Sequence, residues 1–149
     1  WGPSAFDVRH KGVAGFTWDL PAQFMVSGIV LIQSGTPYTA LSDQDENGDG
    51  YYTDRAEWEG VRFTRNSFRQ PYYRTVDLRV AKGFSLRGIA LDVMLDVFNA
   101  LDAENRYTDL YTYYTTDTAT GVKTRREDFG NPRVAGQPRQ FQIGIRFQF

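Results

Sequence analysis

The chain ends on Arg139-Gln-Phe-Gln-Ile-Gly-Ile-Arg-Phe-Gln-Phe149, and from Gln140 onward apolar residues alternate with glutamine, glycine or arginine. The apolar positions are Phe141, Ile143, Ile145, Phe147 and Phe149. A repeat of two residues is typical of an extended strand, because its successive side chains point to opposite faces. The stretch therefore predicts a β-strand with one apolar face and one polar face.

Four earlier segments carry a similar alternation and predict four more strands. They are residues 7–18, 24–32, 75–84 and 89–98. Lys82 interrupts the third pattern near a strand end, where a lysine can lay its stem along apolar surface and bring its amine toward water. Each segment is close to the roughly 9 to 11 residues with which a tilted strand crosses a bilayer.

The connections between the predicted strands alternate in length. Residues 19–23 and 85–88 form short links, whereas residues 35–74 and 99–138 form long ones. Short periplasmic turns and long extracellular loops are typical of outer-membrane barrels. The predicted fold class is all-β, an antiparallel up-and-down transmembrane β-barrel segment. Five strands cannot close a barrel, since bacterial examples have at least eight, so we expect these to be the last five strands of a larger barrel.

Composition excludes several classes of function. The 149 residues include 17 basic and 18 acidic side chains, and no basic run suggests a nucleic-acid partner. Cysteine is absent, which excludes disulfide frameworks, thiol catalysis and cysteine-ligated metals. The apolar runs are too short for a membrane helix. A start at Trp1 without Met predicts that the chain is a piece of a longer protein.

We expect no enzymatic activity. His10 is the only histidine, so we expect neither a histidine-based triad nor a multi-histidine metal site within this chain. The predicted polar faces hold both charges, at Asp77, Asp92, Asp96, Arg79 and Arg146. An acid/base pair of carboxylates is one interpretation of this set. The nearby arginines favour the other, a lattice of opposite charges lining a lumen.

Residues 43–54, Asp43-Gln-Asp-Glu-Asn-Gly-Asp-Gly-Tyr-Tyr-Thr-Asp54, match a calcium loop of the EF-hand type. Gly48 falls at the sharp turn of that loop, and Asp54 stands where a glutamate is usual, which predicts modest affinity. The predicted Ca²⁺ ligands are Asp43, Asp45, Asn47, Asp49 through its carbonyl, Tyr51 through water, and Asp54. The alternative is a solvated acidic turn cluster without an ion, because Asn-Gly and Asp-Gly favour tight turns anyway.

Two further alternatives stay open from the residues. The tyrosines of residues 107–114 could stack on a ligand, or they could pack among neighbouring loops or at a membrane rim, which we favour. Alternating strands also describe a soluble β-sandwich, so a secreted or surface calcium-binding module with an adhesive role is the second functional hypothesis.

Several short motifs, taken in order, carry a resemblance to a known family. They are Asp7-Val-Arg-His10, Trp18-Asp-Leu-Pro21, Gln33-Ser-Gly-Thr-Pro-Tyr38, Asn47-Gly-Asp-Gly50, Arg65-Asn-Ser-Phe68, Thr75-Val-Asp-Leu-Arg79 and Asp96-Val-Phe-Asn99. With these motifs the chain resembles the last strands of TonB-dependent receptors, and most of all the Oar-like receptors, which carry an N-terminal carboxypeptidase-regulatory-like domain. The ending is similar to the outer-membrane assembly signal, with Phe141, Ile143, Ile145, Phe147 and Phe149 as its apolar positions.

The resemblance implies a location and a set of partners. It implies a 22-stranded barrel in the Gram-negative outer membrane, surrounded by lipid and filled by an N-terminal plug that this sequence does not contain. It also implies energy from the TonB–ExbB–ExbD complex and insertion by the barrel-assembly machinery. The expected function is the uptake or handling of a bulky ligand at the cell surface.

Overall fold

The computed structural model describes residues 2–86 and 88–148, without the side chain of Leu86. The strands are β1 (Lys11–Leu20), β2 (Phe24–Gln33), β3 (Pro37–Tyr38), β4 (Glu57–Trp58), β5 (Val61–Arg62), β6 (Phe68–Arg69), β7 (Tyr73–Leu86), β8 (Ile89–Phe98), β9 (Tyr114–Thr116), β10 (Lys123–Arg125) and β11 (Gln140–Gln148). A 3-10 turn, Pro21–Gln23, joins β1 to β2. In these described residues, no helix is long and apolar enough to span a membrane.

The chain divides into two compact units. The sheet unit comprises His10–Gln33, Tyr72–Asn105 and the residues from Gly136 onward. The loop unit comprises the residues up to Arg9, Ser34–Pro71 and Arg106–Ala135. Each of the two long connections therefore contributes a segment to the loop unit.

The sheet unit is one open antiparallel sheet with the strand order β1-β2-β7-β8-β11. Each long strand pairs with the long strand that follows it in the chain, so the sheet is an up-and-down meander. The prediction of five antiparallel strands is confirmed. Within the described residues the sheet does not close on itself, and β1 and β11 are its two edges.

The register places the alternating apolar residues of the five strands on one face, although some apolar residues, such as Ile29 and Met94, lie on the other. Trp18 lies opposite Val26, which lies opposite Val80, and the row continues through Leu95 to Ile143. Residues directly opposite each other in an antiparallel sheet share a face, so this row crosses the full width of the apolar face.

The row next to it, one residue away on each strand, lies on the polar face. It runs from Thr17 through Ser27, Arg79 and Asp96 to Gln142. A shift of one residue in the pairing of any strand would move its apolar side chains to the polar face of the sheet. The observed register is therefore the one that keeps the apolar side chains of neighbouring strands together.

The expected start of the first strand is wrong. The sequence predicted a strand over residues 7–18, but β1 covers Lys11–Leu20, and the residues up to Arg9 belong to the loop unit. The reason is an ion pair between Asp7 and the Arg69 guanidinium group, which also donates to the Asp7 carbonyl at 3.0 Å. These bonds hold the segment in the loop unit and away from β1.

The second short link is tighter than the sequence suggested. The expected turn was 85–88, yet β7 continues to Leu86, which pairs with Ile89 at the start of β8. Gly88 has a φ of +84°, a left-handed conformation that suits glycine in a two-residue hairpin turn. Arg87, within this turn, lies outside the described residues.

The loop unit has a core of its own. Its short strands pair as β3 with β6, β4 with β5, and β9 with β10. Ala40, Ala56, Tyr113 and Tyr114 form its buried cluster, and Trp58, Phe63, Phe68 and Phe129 pack against that cluster. The Tyr113 ring centroid lies 4.7 Å from that of Phe63 and 4.8 Å from that of Phe129, in the edge-to-face geometry that aromatic pairs prefer.

Candidate functional site

The polar face of the sheet unit carries two ion pairs between neighbouring strands. Arg79 of β7 binds Asp96 of β8 through both carboxylate oxygens, with Nε 2.5 Å from Oδ1 and Nη2 3.0 Å from Oδ2. Arg146 of β11 donates Nε and Nη2 to Oδ2 of Asp92, at 3.0 and 2.5 Å. Both pairs lie on shared rows of the register, so the opposite charges sit side by side on one face.

Asp77, a further carboxylate of this face, forms no ion pair with an arginine among the described residues. Its Oδ1 accepts a hydrogen bond from the Thr75 hydroxyl and another from the Asn99 backbone N–H, each at 2.9 Å. Asn99 is buried and its side chain donates to the carbonyls of Ala103 and Gln137, which holds the end of β8. Asp77, Asp92 and Asp96 thus each accept hydrogen bonds from groups on the same sheet unit.

The apolar face remains exposed over the terminal strand. Ile143 is 75% exposed, and Phe141, Ile145 and Phe147 are also exposed. Phe149, the last residue of the predicted assembly signal, lies outside the described residues. A continuous apolar surface across five strands is much larger than the isolated apolar residues that a soluble surface tolerates. This face therefore requires an apolar neighbour.

Lys82 is the one charged side chain near the turn end of the apolar face of β7, and aromatic rings surround its amine. Nζ lies 4.4 Å from the Phe24 ring centroid and 5.4 Å from that of Phe84. It also donates to the Ala22 carbonyl in the turn. The stem lies along the apolar face while the charge reaches the turn, as the sequence suggested for a lysine at this position.

In the acidic loop, Asp45 organises the backbone. Its carboxylate accepts hydrogen bonds from the N–H groups of Gly48 at 2.7 Å, Asp49 at 3.2 Å and Gly50 at 2.8 Å. These bonds, that from Gly50 above all, lower the pKa of Asp45. Gly48 and Gly50 have φ values of +74° and +86°, so the turn depends on both glycines.

Asp54 closes the other side of the loop. Its Oδ2 accepts from the N–H groups of Glu46 at 2.8 Å and Asn47 at 3.2 Å. The Asn47 amide nitrogen lies 3.2 Å from Asp54 Oδ1 and 3.0 Å from Asp49 Oδ2, so it bridges two carboxylates. Tyr51 is exposed, and its backbone N–H donates to Asp49 Oδ1 at 2.8 Å.

The structure places Asp43 away from the other predicted calcium ligands. Both of its oxygens bind Thr116 of β9, Oδ2 accepting from the backbone N–H and Oδ1 from the hydroxyl at 2.7 Å. Asp45, Asn47, Asp49 and Asp54 are linked to one another or to the same turn. Over the described ranges, no group of three or more histidine, cysteine, aspartate or glutamate side chains is arranged to hold a metal ion. Binding of Ca²⁺ would therefore require carboxylates to leave the N–H groups that they now accept from.

A polar network that the sequence did not indicate connects the acidic loop to the β9–β10 hairpin, with Tyr114 and Ser42 as its buried members. The Tyr114 hydroxyl lies 3.0 Å from Ser42 Oγ, 3.1 Å from Glu46 Oε1 and 3.0 Å from Lys123 Nζ. Hydrogen bonds from Ser42 and Lys123 lower the pKa of Glu46, and the contacts to Tyr114 and Glu46 raise the pKa of Lys123. These residues are far apart in the chain, so no local pattern marks them.

Two of the clustered tyrosines are core residues. Tyr114 has no exposed surface and Tyr113 is nearly as buried, so for these two the packing alternative is confirmed. Tyr107 and Tyr111 remain partly exposed.

Comparison with known proteins adds nothing to these observations, because no family model, no curated protein and no solved structure matches the chain. The chain's own residues, its two sheet faces and the order of its motifs are the basis for assigning a function.

Proposed function

We propose that this chain is the C-terminal part of an outer-membrane TonB-dependent receptor that takes up or handles a bulky ligand at the cell surface. Its five long strands would be lipid-spanning strands of a larger barrel. The short turns would face the periplasm and the loop unit would lie outside. The remaining strands and the plug would come from the rest of the protein.

The observation that carries this proposal is the chemical difference between the two faces of one sheet. The apolar face is continuous from Trp18 to Ile143, and its described strand residues carry no charge except Lys82 and Arg74, near opposite ends of β7. The other face holds the Arg79–Asp96 and Arg146–Asp92 pairs. A lipid-facing surface must be apolar because hydrocarbon solvates no charge, whereas a lumen accepts paired charges.

Single-cysteine labelling tests the lipid-facing assignment. The chain has no native cysteine, so Ile143→Cys and Gln142→Cys give adjacent probes on opposite faces. We expect a water-soluble maleimide to label Gln142→Cys in membranes and to leave Ile143→Cys unlabelled until the protein is denatured. Equal labelling of both positions, or a protein that purifies without detergent, would instead favour the soluble calcium-binding module.

The receptor assignment rests on the motif resemblance and needs its own test. Cells with and without the protein can be compared for surface binding and uptake of labelled peptides and oligosaccharides. We expect uptake to need both the protein and TonB, while surface binding needs the protein alone. Uptake that persists without TonB would reject active transport.

We also propose that residues 43–54 bind Ca²⁺ with modest affinity. The support is the set of oxygen ligands around the turn and the left-handed Gly48 and Gly50. Asp43 is bonded to Thr116 outside the loop, whereas the bonds of Asp45 stay within the turn of Gly48 and Gly50, so we assign the main role to Asp45. Calorimetric titration should show calcium uptake by the parent protein that Asp45→Asn abolishes and Asp43→Asn reduces less. An absence of heat at millimolar calcium would reject the site.

A further inference from the structure

A short ribbon in the loop unit has one buried side and one open side. Residues 40–42 pair with residues 54–56, the Ala56 N–H donating to the Ala40 carbonyl at 2.9 Å, and Leu41 lies opposite Arg55. The residues that alternate with this pair are buried, namely Ala40, Ser42, Asp54 and Ala56. Leu41 and Arg55 therefore belong to the opposite side, away from the aromatic core.

A cavity lies on that open side. Its lining residues are Gly2, Thr39, Leu41, Thr53, Arg55 and Arg65. Two arginines and two threonines thus line one space, and none of the described lining residues is acidic. An aliphatic side chain, Leu41, completes the lining.

Neither arginine of the cavity has a counter-charge among the residues that the structure describes. Across residues 2–86 and 88–148, no ion pair involves Arg55 or Arg65, and the single hydrogen bond from either guanidinium group is that of Arg55 Nη1 to the Phe63 carbonyl, at 3.5 Å. Asp54, the neighbour of Arg55 in sequence, is buried on the other side of the ribbon, where its carboxylate accepts from Glu46 and Asn47.

The backbone that carries Arg65 is held on both sides. Asn66 has a φ of +58°, its N–H donates to Thr39 Oγ1 at 2.9 Å, and its side-chain amide donates to the Pro3 carbonyl at 2.7 Å. Gly2 approaches so closely that a Cβ atom there would lie 2.5 Å from the Arg65 carbonyl oxygen. The cavity therefore has a fixed frame, and only the arginine side chains need to adjust to a ligand.

We infer that this cavity binds a phosphate group, through bidentate hydrogen bonds from Arg55 and Arg65 with the Thr53 hydroxyl as an additional donor. A planar guanidinium group presents paired N–H donors that match the oxygens of a phosphate, and two such groups offset its double negative charge. The phosphate is either free or a substituent of a larger ligand. The inference does not depend on the membrane assignment, because it concerns the loop unit alone.

Calorimetric titration of the detergent-purified protein with inorganic phosphate tests this site. We expect Arg55→Gln and Arg65→Gln each to weaken binding about tenfold or more, as expected for the loss of charged hydrogen bonds. Arg62→Gln is the matched control, since Arg62 is exposed in the same unit but does not line the cavity. Near-ultraviolet circular dichroism of the tyrosines checks that each variant keeps the core of the loop unit.

Titration with glucose 1-phosphate distinguishes free phosphate from a phosphate group on a larger ligand. Binding at least tenfold tighter than that of inorganic phosphate would identify a phosphorylated larger ligand, and equal or weaker binding would identify the free ion. The inference is overturned if inorganic phosphate and glucose 1-phosphate both fail to bind, or if Arg62→Gln weakens binding as much as the two cavity substitutions.

Discussion

The loop unit and the sheet unit bury their apolar side chains in opposite ways. Tyr113 and Tyr114 of the loop unit are buried among aromatic rings, whereas the buried apolar residues described in the sheet unit are the small Ala81 and Ala103. The sheet unit instead exposes large residues such as Ile143 and Trp18. A unit with its own core can be stable in water, while a sheet that exposes one apolar face needs an apolar medium around it.

The carboxylates of the two units also have different hydrogen-bond partners. In the loop unit, carboxylates such as Asp45 and Asp54 accept mainly from backbone N–H groups of irregular turns. In the sheet unit, backbone N–H groups are occupied by strand pairing, so Asp92 and Asp96 bind arginines on neighbouring strands. The turns thus depend on carboxylates for their shape, whereas Asp92 and Asp96 in the sheet neutralise the charge of arginines on the neighbouring strands.

Removing an aromatic ring from the core should cause the largest loss of stability, and this loss should be confined to the loop unit. Tyr113→Ala deletes contacts to Phe63, Phe129 and Trp58, and we expect a loss of about 3–5 kcal/mol in the stability of that unit. Limited proteolysis of residues 34–71 and 106–135 in denaturant measures it. Tyr51→Ala, at an exposed tyrosine of the same unit, should change stability by no more than about 0.5 kcal/mol.

A charge on the apolar face should give the next largest effect and should affect the sheet unit alone. Ile143→Arg lies near the middle of β11, and in a bilayer we expect a cost of about 2–4 kcal/mol. Gln142→Arg places the same charge one residue away on the polar face, opposite Asp96, and should cost much less. Urea unfolding in lipid vesicles gives both values, and equal costs would contradict the assignment of the two faces.

A smaller effect is expected from the hydroxyl that joins the acidic loop to the hairpin. Tyr114→Phe keeps the ring in the core but leaves Ser42, Glu46 and Lys123 without their shared partner. We expect the loop unit to lose about 1–2 kcal/mol, because the remaining Glu46–Lys123 pair still satisfies both charges. Denaturant titration followed by tyrosine circular dichroism measures this, and a neutral result would mean that water replaces the hydroxyl at no cost.

Acid should weaken the loop unit gradually. The folded-state pKa values of Asp45 and Glu46 lie below their ordinary values of 3.8 and 4.5. A lowered carboxyl pKa adds stability that is complete above the ordinary value and is lost as the pH falls through the lower folded value. Protease resistance of the loop unit should therefore be constant above about pH 5 and decline below about pH 4. Glu46→Gln should make this decline shallower. An unchanged dependence of protease resistance on pH would mean that Glu46 does not contribute to it.

Local patterns were enough to predict the long strands. Residues 89–98 and the terminal stretch alternate so regularly that their strands match the observed β8 and β11 closely. The start of β1 was misplaced because the alternation of Asp7, Val8 and Arg9 fits a strand, and no local feature reveals that Asp7 binds Arg69. The Tyr114 network and the Arg55–Arg65 cavity could not be predicted either, because they also depend on contacts between residues that are far apart in the chain.

The sequence by itself determined five strands with an apolar and a polar face each, because a period of two residues depends only on neighbours along the chain. Only the tertiary structure decided that Asp43 turns to Thr116, that two distant connections share one aromatic core, and that two arginines face a common cavity. These features join residues many positions apart. Their energies come from burial, ring packing and charge pairing, which exist only once the chain has brought those residues together.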